Sequence, residues 1–272
     1  MTDPVEQKLC RASEDGCVEK VLSLLSDNPG LDVNWAEPET YWTSLHLASF
    51  YGHVEVVKLL LAHPHINVNV LTSFKCSPFL LCCDNGHTSV VQMLLKDPRV
   101  DITLEDDDNC TSLWWAAYYG HHEVIEWLIA NGRDLANLVN VKGNYFIDIE
   151  YTALEIAREG NQTEAAAVLE RFMSNPGQTR HELRVKLGVL DAMAAEVFAL
   201  TVFLCDDLLQ LQPTDSCAAR IKFFVIASML PMELQMILCH RVVGSMKQTI
   251  LRKDSEPAFK SLARILLLLS SS

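Results

Sequence analysis

Histidines and clustered carboxylates are the residues of this sequence that could perform chemistry, and their spacing argues against it. The pairs His63/His65 and His121/His122 have no cysteine or carboxylate at the spacing of a zinc site. The acidic run Glu105–Asp108 lacks the spaced ligands and the glycine of a calcium loop, so we expect a solvated hairpin tip there. No glycine-rich phosphate loop, Gly-x-Ser-x-Gly elbow or nucleophilic Cys/His pair is present. The sequence predicts a protein that is not an enzyme and uses no metal or cofactor.

The nine cysteines are an odd number and form no Cys-x-x-Cys pair. Most have apolar neighbours, which indicates buried free thiols in a reducing compartment. The chain begins without the basic and apolar segments of a signal peptide. Its most apolar stretches, Val197–Cys205 and Phe223–Leu230, are too short to span a bilayer. We therefore expect a cytoplasmic protein, with the nucleus as the alternative location, and no membrane partner.

The net charge of −13 is concentrated in the first two thirds of the chain. Residues 1–178 contain 26 acidic and 11 basic side chains, whereas the remainder contains 9 acidic and 11 basic ones. Because an acidic body repels phosphate backbones, we expect no nucleic-acid binding through this part. The same charge favours a protein partner with a basic surface.

Three segments recur with a period of 34 residues: Thr43–His53, Ser77–His87 and Thr111–His121. Each is followed by an apolar run that opens with Val-Val or Val-Ile. The segments resemble the ankyrin repeat, whose signature is Thr-Pro-Leu-His-x-Ala-Ala-x-x-Gly-His followed by Val-Val-x-Leu-Leu-Leu. The resemblance implies an all-α solenoid of helix pairs with short hairpins, because one repeat cannot bury its apolar face alone.

Local sequence signals agree with this assignment. Each segment begins with a hydroxyl residue suited to a helix N-cap, and the glycine before its final histidine tolerates a left-handed conformation. In ankyrin repeats the signature histidines hydrogen-bond neighbouring turns, and here they are His46, His53, His87 and His121. The resemblance therefore gives these imidazoles a structural role. Trp114 replaces a signature histidine and is expected in the core.

Two weaker copies flank the three clear ones, which makes five repeats. Thr152 opens the last copy 41 residues after Thr111, so an insertion of about seven residues lies near Leu138–Tyr151. The predicted repeats span residues 5–36, 39–72, 73–106, 107–140 and 148–175, within a domain of residues 1–178.

Residues 179–272 have no ankyrin pattern and predict a helical bundle that caps the stack. We expect Thr179 to cap a helix that Gly188 ends. The further predicted helices are Leu190–Leu211, Ser216–Leu230, Pro231–Val243 and one from Ser255 through Leu269.

One helix of this region has two partial likenesses. Leu230–Leu238 resembles the core of an F-box, and Leu234–Cys239 followed by Arg241 resembles the opening of a SOCS box. Either motif would recruit a ubiquitin ligase and make the protein a substrate adaptor. The alternative is that these helices only cap the repeats.

The surface expected to bind a partner follows from the repeat. In ankyrin stacks the hairpin tips and the two residues before each Gly-His form the concave face. Several aromatic residues fall at these positions, which is typical of interfaces. The alternative is that these rings pack sideways on one another or under the insertion. The predicted contact residues are Tyr41, Trp42, Phe50, Tyr51, Phe74, Asp84, Asn85, Asp107, Asp108, Tyr118 and Tyr119. The predicted function is a non-catalytic scaffold that binds another protein.

Overall fold

The computed structural model describes residues 4–135, 137–146, 149–205, 232–245, 247, 249–251 and 253–260. Contacts divide the chain into two compact units, Met1–Leu183 and Arg184–Ser272. The division lies shortly after Gln178, where the sequence places the domain boundary. Within the described ranges, no helix has both the length and the apolar character needed to cross a membrane.

The first unit is built from five successive helix pairs, which confirms the predicted all-α repeat solenoid. The first helix of each pair packs against the first helix of the next. The ten helices are α1 Val5–Glu14, α2 Val18–Asp27, α3 Ser44–Phe50, α4 Val54–Leu61, α5 Pro78–Asp84, α6 Thr88–Lys96, α7 Ser112–Tyr118, α8 His122–Asn131, α9 Ala153–Glu159 and α10 Thr163–Ser174.

The three predicted hydroxyl caps open first helices, and Thr152 caps the first helix of the fifth repeat in the same way. The side chains of Thr43, Ser77, Thr111 and Thr152 each accept a hydrogen bond from the backbone amide three residues ahead. Such caps satisfy backbone donors that a helix leaves unpaired at its start, and each stabilises by about 1 kcal/mol.

His46 shows how the signature histidine works inside a repeat. Its Nδ1 accepts the Thr43 amide at 3.1 Å, and its Nε2 lies 3.1 Å from the carbonyl oxygens of both Val70 and Cys76. Burial lowers the pKa of His46 to about 4. The ring is therefore neutral at pH 7, with Nε2 as the donor that ties helix α3 to the next hairpin.

A second set of imidazoles joins consecutive repeats, as the resemblance implies. Each ring is the histidine of a Gly-His pair, and it donates from Nε2 to the carbonyl near the end of the first helix in the preceding repeat. The bonds are His53 to Glu14 at 2.8 Å, His87 to Phe50 at 2.7 Å and His121 to Asp84 at 2.9 Å. In the fifth repeat the Gln162 amide takes this role and donates to the Tyr118 carbonyl at 3.2 Å.

The insertion before the fifth repeat forms a short 3-10 turn, Leu138–Asn140, and two antiparallel strands, β1 Lys142–Phe146 and β2 Ile149–Thr152. The indole of Trp114 donates to the Tyr151 carbonyl at 2.8 Å. This bond attaches the insertion to the fourth repeat.

Helix α11, Pro176–Lys186, begins earlier than the sequence predicts. Thr179 does not cap it, because Thr179 lies inside the helix and its hydroxyl donates to the Arg171 carbonyl of α10 at 2.9 Å. The Asn175 side chain instead accepts the Gln178 amide at 3.2 Å, and Pro176 suits a first helical position. Gly188 lies in the left-handed region, as expected after a helix end.

The described part of the second unit contains α12 Val189–Cys205, α13 Met232–Val242 and a helical segment at residues 253–260. Ala195, Ala199 and Ala258 form a buried cluster, and Phe198 contacts Phe259 edge to face. The predicted helix Ser216–Leu230, the last residues of Leu190–Leu211 and the end of the final predicted helix lie outside the described residues.

The glycines of the Gly-His pairs provide a test of how consecutive repeats pack, because Gly52 and Gly86 each lie against the histidine of the next repeat. Gly86 has a φ of +70°, and a Cβ there would lie 2.6 Å from His121 Nδ1. We expect Gly86→Ala to lower the free energy of unfolding by about 2–3 kcal/mol, from left-handed strain and a weakened hydrogen bond.

Gly30→Ala is the matched control, because nothing lies within 4 Å of its Cβ position and its backbone is not left-handed. Urea denaturation of both variants measures the difference. Equal stability of the two variants would contradict this account of the glycine.

Candidate partner-binding face

The turns before the first helices and the ends of those helices form what we call the hairpin face: turns 37–42, 71–76 and 105–110, and the last residues of α3, α5 and α7. The turns stack through backbone hydrogen bonds. They run from Ser73 N to Thr40 O at 3.0 Å and from Asp107 N to Phe74 O at 3.2 Å. The predicted contact residues all lie in these turns or directly at these helix ends.

Each turn has one residue in the left-handed region: Tyr41, Lys75 and Asn109, with φ near +57°. Asparagine adopts this conformation readily, whereas a tyrosine there is uncommon. The Tyr41 side chain is exposed, and so is Phe74 in the next turn, at 68% of its surface. The turns thus present two large rings to solvent.

The first aromatic cluster joins turn 37–42 to the end of α3. The Trp42 and Phe50 rings meet edge to face at 5.3 Å, and Phe50 meets Tyr51 in the same way at 5.0 Å. Trp42 and Phe50 are half-buried, whereas Tyr51 is 45% exposed. Of the predicted pair, therefore, Phe50 is mainly packed and Tyr51 is presented.

The second aromatic cluster lies on α7 and at its C-terminal end, two repeats after the first cluster. Tyr118 stacks on Trp114 at 5.5 Å, and Tyr119 stacks on Trp115 at 6.0 Å. Both tryptophans are buried, so Trp114 lies in the core as expected and Trp115 is a packing residue too. Tyr118 is half-buried, whereas Tyr119 is 48% exposed. Each of the two aromatic pairs, Phe50-Tyr51 and Tyr118-Tyr119, thus combines one supporting ring and one presented ring.

Asp84 occupies the matching position between these clusters. The carbonyls of Phe50, Asp84 and Tyr118 each accept the inter-repeat hydrogen bond, so the three residues are equivalent in consecutive repeats. The Asp84 Oδ1 atom is buried, and it has no hydrogen-bond partner in the described structure. Burial raises the pKa of this carboxyl to about 6, and neighbouring Asp106 adds to the increase. Asn85, half-buried beside it, donates to Asp84 Oδ2 at 3.3 Å.

Asp106 corrects the expectation that the whole run Glu105–Asp108 is a solvated tip. It is only 6% exposed, and its Oδ2 accepts the Trp115 indole N–H at 2.6 Å. Its Oδ1 accepts the amides of Asp108 and Cys110 at 3.0 and 2.8 Å. Burial raises the pKa of Asp106, although these hydrogen bonds act to lower it. The turn pattern Asp-x-x-Asn, with an aspartate accepting amides ahead of it, was the available sequence signal.

Asp107 and Asp108 are exposed, as predicted, whereas Glu105 is half-buried. Asp107 pairs with Lys75 of the preceding turn at 2.8 Å. The Asp108 carbonyl accepts the Asn144 amide of the insertion at 2.8 Å. The described residues contain no group of three or more histidine, cysteine, aspartate or glutamate side chains that could hold a metal ion. Cys17 is exposed, so the expectation of buried thiols does not extend to it.

Comparison with known families agrees with this architecture. A model of three ankyrin repeats matches residues 9–106, and a single ankyrin repeat matches residues 108–144. The chain is an ankyrin-repeat protein. No curated protein matches it significantly. Ankyrin repeats are protein-interaction domains and typically non-catalytic. The fifth repeat lies beyond the matched residues, and its helix pair is evident from the α9 and α10 structure.

The raised pKa of Asp84 makes a prediction about stability. Between pH 3.8 and about 6 the folded state holds a proton that the unfolded state releases, so stability falls as pH rises. Since Asn cannot ionise, we expect Asp84→Asn to raise the free energy of unfolding at pH 7.5. The gain is about 1–2 kcal/mol, after allowance for partial solvent screening, and shrinks by about half at pH 5.

Asp107→Asn is the control, because this exposed pair with Lys75 should change stability by less than about 1 kcal/mol at either pH. Urea denaturation at the two pH values provides the measurement. A loss of stability in Asp84→Asn that is the same at both values would show that its charge is not the cause.

Proposed function

We propose that the chain binds another protein through the hairpin face and performs no catalysis. One observation carries the proposal. Among the described phenylalanine, tyrosine and tryptophan side chains, the exposed ones are Tyr41, Tyr51, Phe74 and Tyr119, and all four belong to this face. Exposed aromatic groups gathered on one surface are typical of interfaces, because they bury much area at a small entropic cost.

The exposed tyrosines are held in fixed positions by the residues around them, and this strengthens the proposal. Tyr51 and Tyr119 follow first helices whose ends are fixed by the inter-repeat hydrogen bonds, and each contacts a more buried ring. A surface held in place before binding loses little conformational freedom when a partner docks. In ankyrin repeats this side of the stack is the concave one, so the face would also surround part of the partner.

The double variant Phe74→Ala/Tyr119→Ala tests this function. Both rings are exposed, so we expect the melting temperature to change little and the captured partner to fall at least about tenfold. The measurement is affinity purification and quantitative mass spectrometry from the cells that express the chain. Tyr118→Ala is less suitable, because Tyr118 packs on Trp114 and Trp115.

Leu22→Ala/Met173→Ala is the matched control. It removes two exposed apolar side chains from second helices α2 and α10, away from the hairpin face. Equal capture by the two double variants would mean that the partner binds elsewhere.

A ubiquitin-ligase adaptor is the second candidate. It requires Leu230, Pro231 and Leu234 to be accessible, and Leu234 is 48% exposed on α13. Leu230 and Pro231 lie outside the described residues. The exposed Met232 extends the apolar surface of the same helix.

This alternative predicts that Met232→Ala/Leu234→Ala in the full chain loses co-purifying ligase subunits, whereas Val242→Ala on the same helix retains them. Val242 is also exposed, so the control removes a comparable apolar group. Recovery of no ligase subunit by the unaltered chain would count against the adaptor function.

A further inference from the structure

A cleft of about 440 Å³ opens at the N-terminal end of the hairpin face. It lies between α1, turn 37–42 and the end of α3. Its volume falls within the range of ligand-binding pockets, and it shares Trp42, Phe50 and Tyr51 with the face proposed to hold a partner. A side chain that projects from a docked protein could therefore enter it.

The walls of the cleft are mainly aromatic. Trp35 joins Trp42, Phe50 and Tyr51, and Leu47 adds an aliphatic side chain. All except Tyr51 are half-buried, so each retains accessible surface. The edge-to-face contacts of Phe50 with Trp42 and Tyr51 hold these rings in fixed orientations. Such walls suit an aliphatic stem, and ring faces also attract a cation.

Two carboxylates stand beside these rings. Glu14 accepts a hydrogen bond from the Tyr51 hydroxyl at 3.3 Å, and Glu37 accepts one from the Thr40 hydroxyl at 2.8 Å. Among the described residues, neither glutamate forms an ion pair. Arg11 also lines the cleft, so the described lining carries two negative charges and one positive charge.

We propose that this cleft receives a lysine or arginine side chain of the partner protein. The stem would pack on the rings, and the cationic group would meet Glu14 and Glu37. The inference rests on the proposed function and specifies the chemistry of the partner.

Charge and desolvation favour this occupant over others. An apolar side chain would displace water from both carboxylates without replacing their hydrogen bonds, which is costly. An anionic side chain would be repelled by them. The net charge of residues 1–178, with 26 acidic and 11 basic side chains, attracts a basic segment in the same way.

Blocked amino acids provide probes of the cleft that require no knowledge of the partner. The N-acetyl methylamides of lysine and arginine carry the cation, and that of norleucine carries a similar stem without it. Titrations of the full chain, followed by NMR through the indole N–H signals, report on Trp35 and Trp42 separately. Trp35→Phe and Trp42→Phe assign the signals, and the buried Trp114 and Trp115 serve as internal references.

We expect lysine, arginine or both to shift the Trp35 and Trp42 signals saturably, with norleucine about fivefold weaker. A response to one cation alone supports the proposal and identifies the residue. Glu14→Gln/Glu37→Gln should abolish the preference over norleucine. Glu19→Gln/Glu55→Gln, which neutralises exposed glutamates of the second helices, should retain it.

Three results would overturn the proposal: equal binding of norleucine and the cations, no shift of either indole, or a preference that persists in Glu14→Gln/Glu37→Gln. Phe74 and Tyr119 do not line the cleft. If capture of the partner depends on them while the cations leave Trp35 and Trp42 unmoved, the cation site fails and partner binding stands. If capture is independent of them as well, both proposals fail.

Discussion

The hydrogen bond from an imidazole to the carbonyl at the preceding helix end is the constraint on which the first unit depends. His53, His87 and His121 each make it, and each ring fills the space beside a glycine of the previous repeat. A Cβ at that glycine would collide with the ring. The repeats are thus held in one register by a polar contact that leaves no room for a larger neighbour.

That register determines what the hairpin face can present. The hydrogen-bonded carbonyls belong to residues whose own side chains differ from repeat to repeat, Phe50, Asp84 and Tyr118 among them. The backbone carbonyls at these positions are therefore used to hold the repeats together, while the side chains at the same positions can vary. Two aromatic clusters then flank a buried carboxylate on a rigid support, and specificity can change without any change of fold.

Features governed by neighbouring residues could be predicted from the sequence. The N-caps, the glycine turns and the histidine contacts follow from short motifs, and the structure confirms them. The turn pattern indicates the local amide bonds of Asp106 but not its burial, which depends on the Trp115 indole reaching across from helix α7. The different exposure of Tyr118 and Tyr119 could not be predicted either. Both are tyrosines, and only the stacking of Tyr118 on Trp114 distinguishes them. Thr179 is not the cap of α11 because the Asn175 side chain, four residues earlier, already caps the helix.

The insertion before the fifth repeat has a consequence for self-association. Stacked turns expose backbone donors and acceptors along an outer edge, where another chain could add by β-pairing. The Asn144 amide of β1 bonds the Asp108 carbonyl, and β1 in turn pairs with β2. This end of the turn series is thereby covered by the chain itself. A partner that contacts turn 105–110 finds the Asp108 carbonyl already bonded, so recognition there depends more on side chains, which discriminate between sequences far better than backbone pairing does.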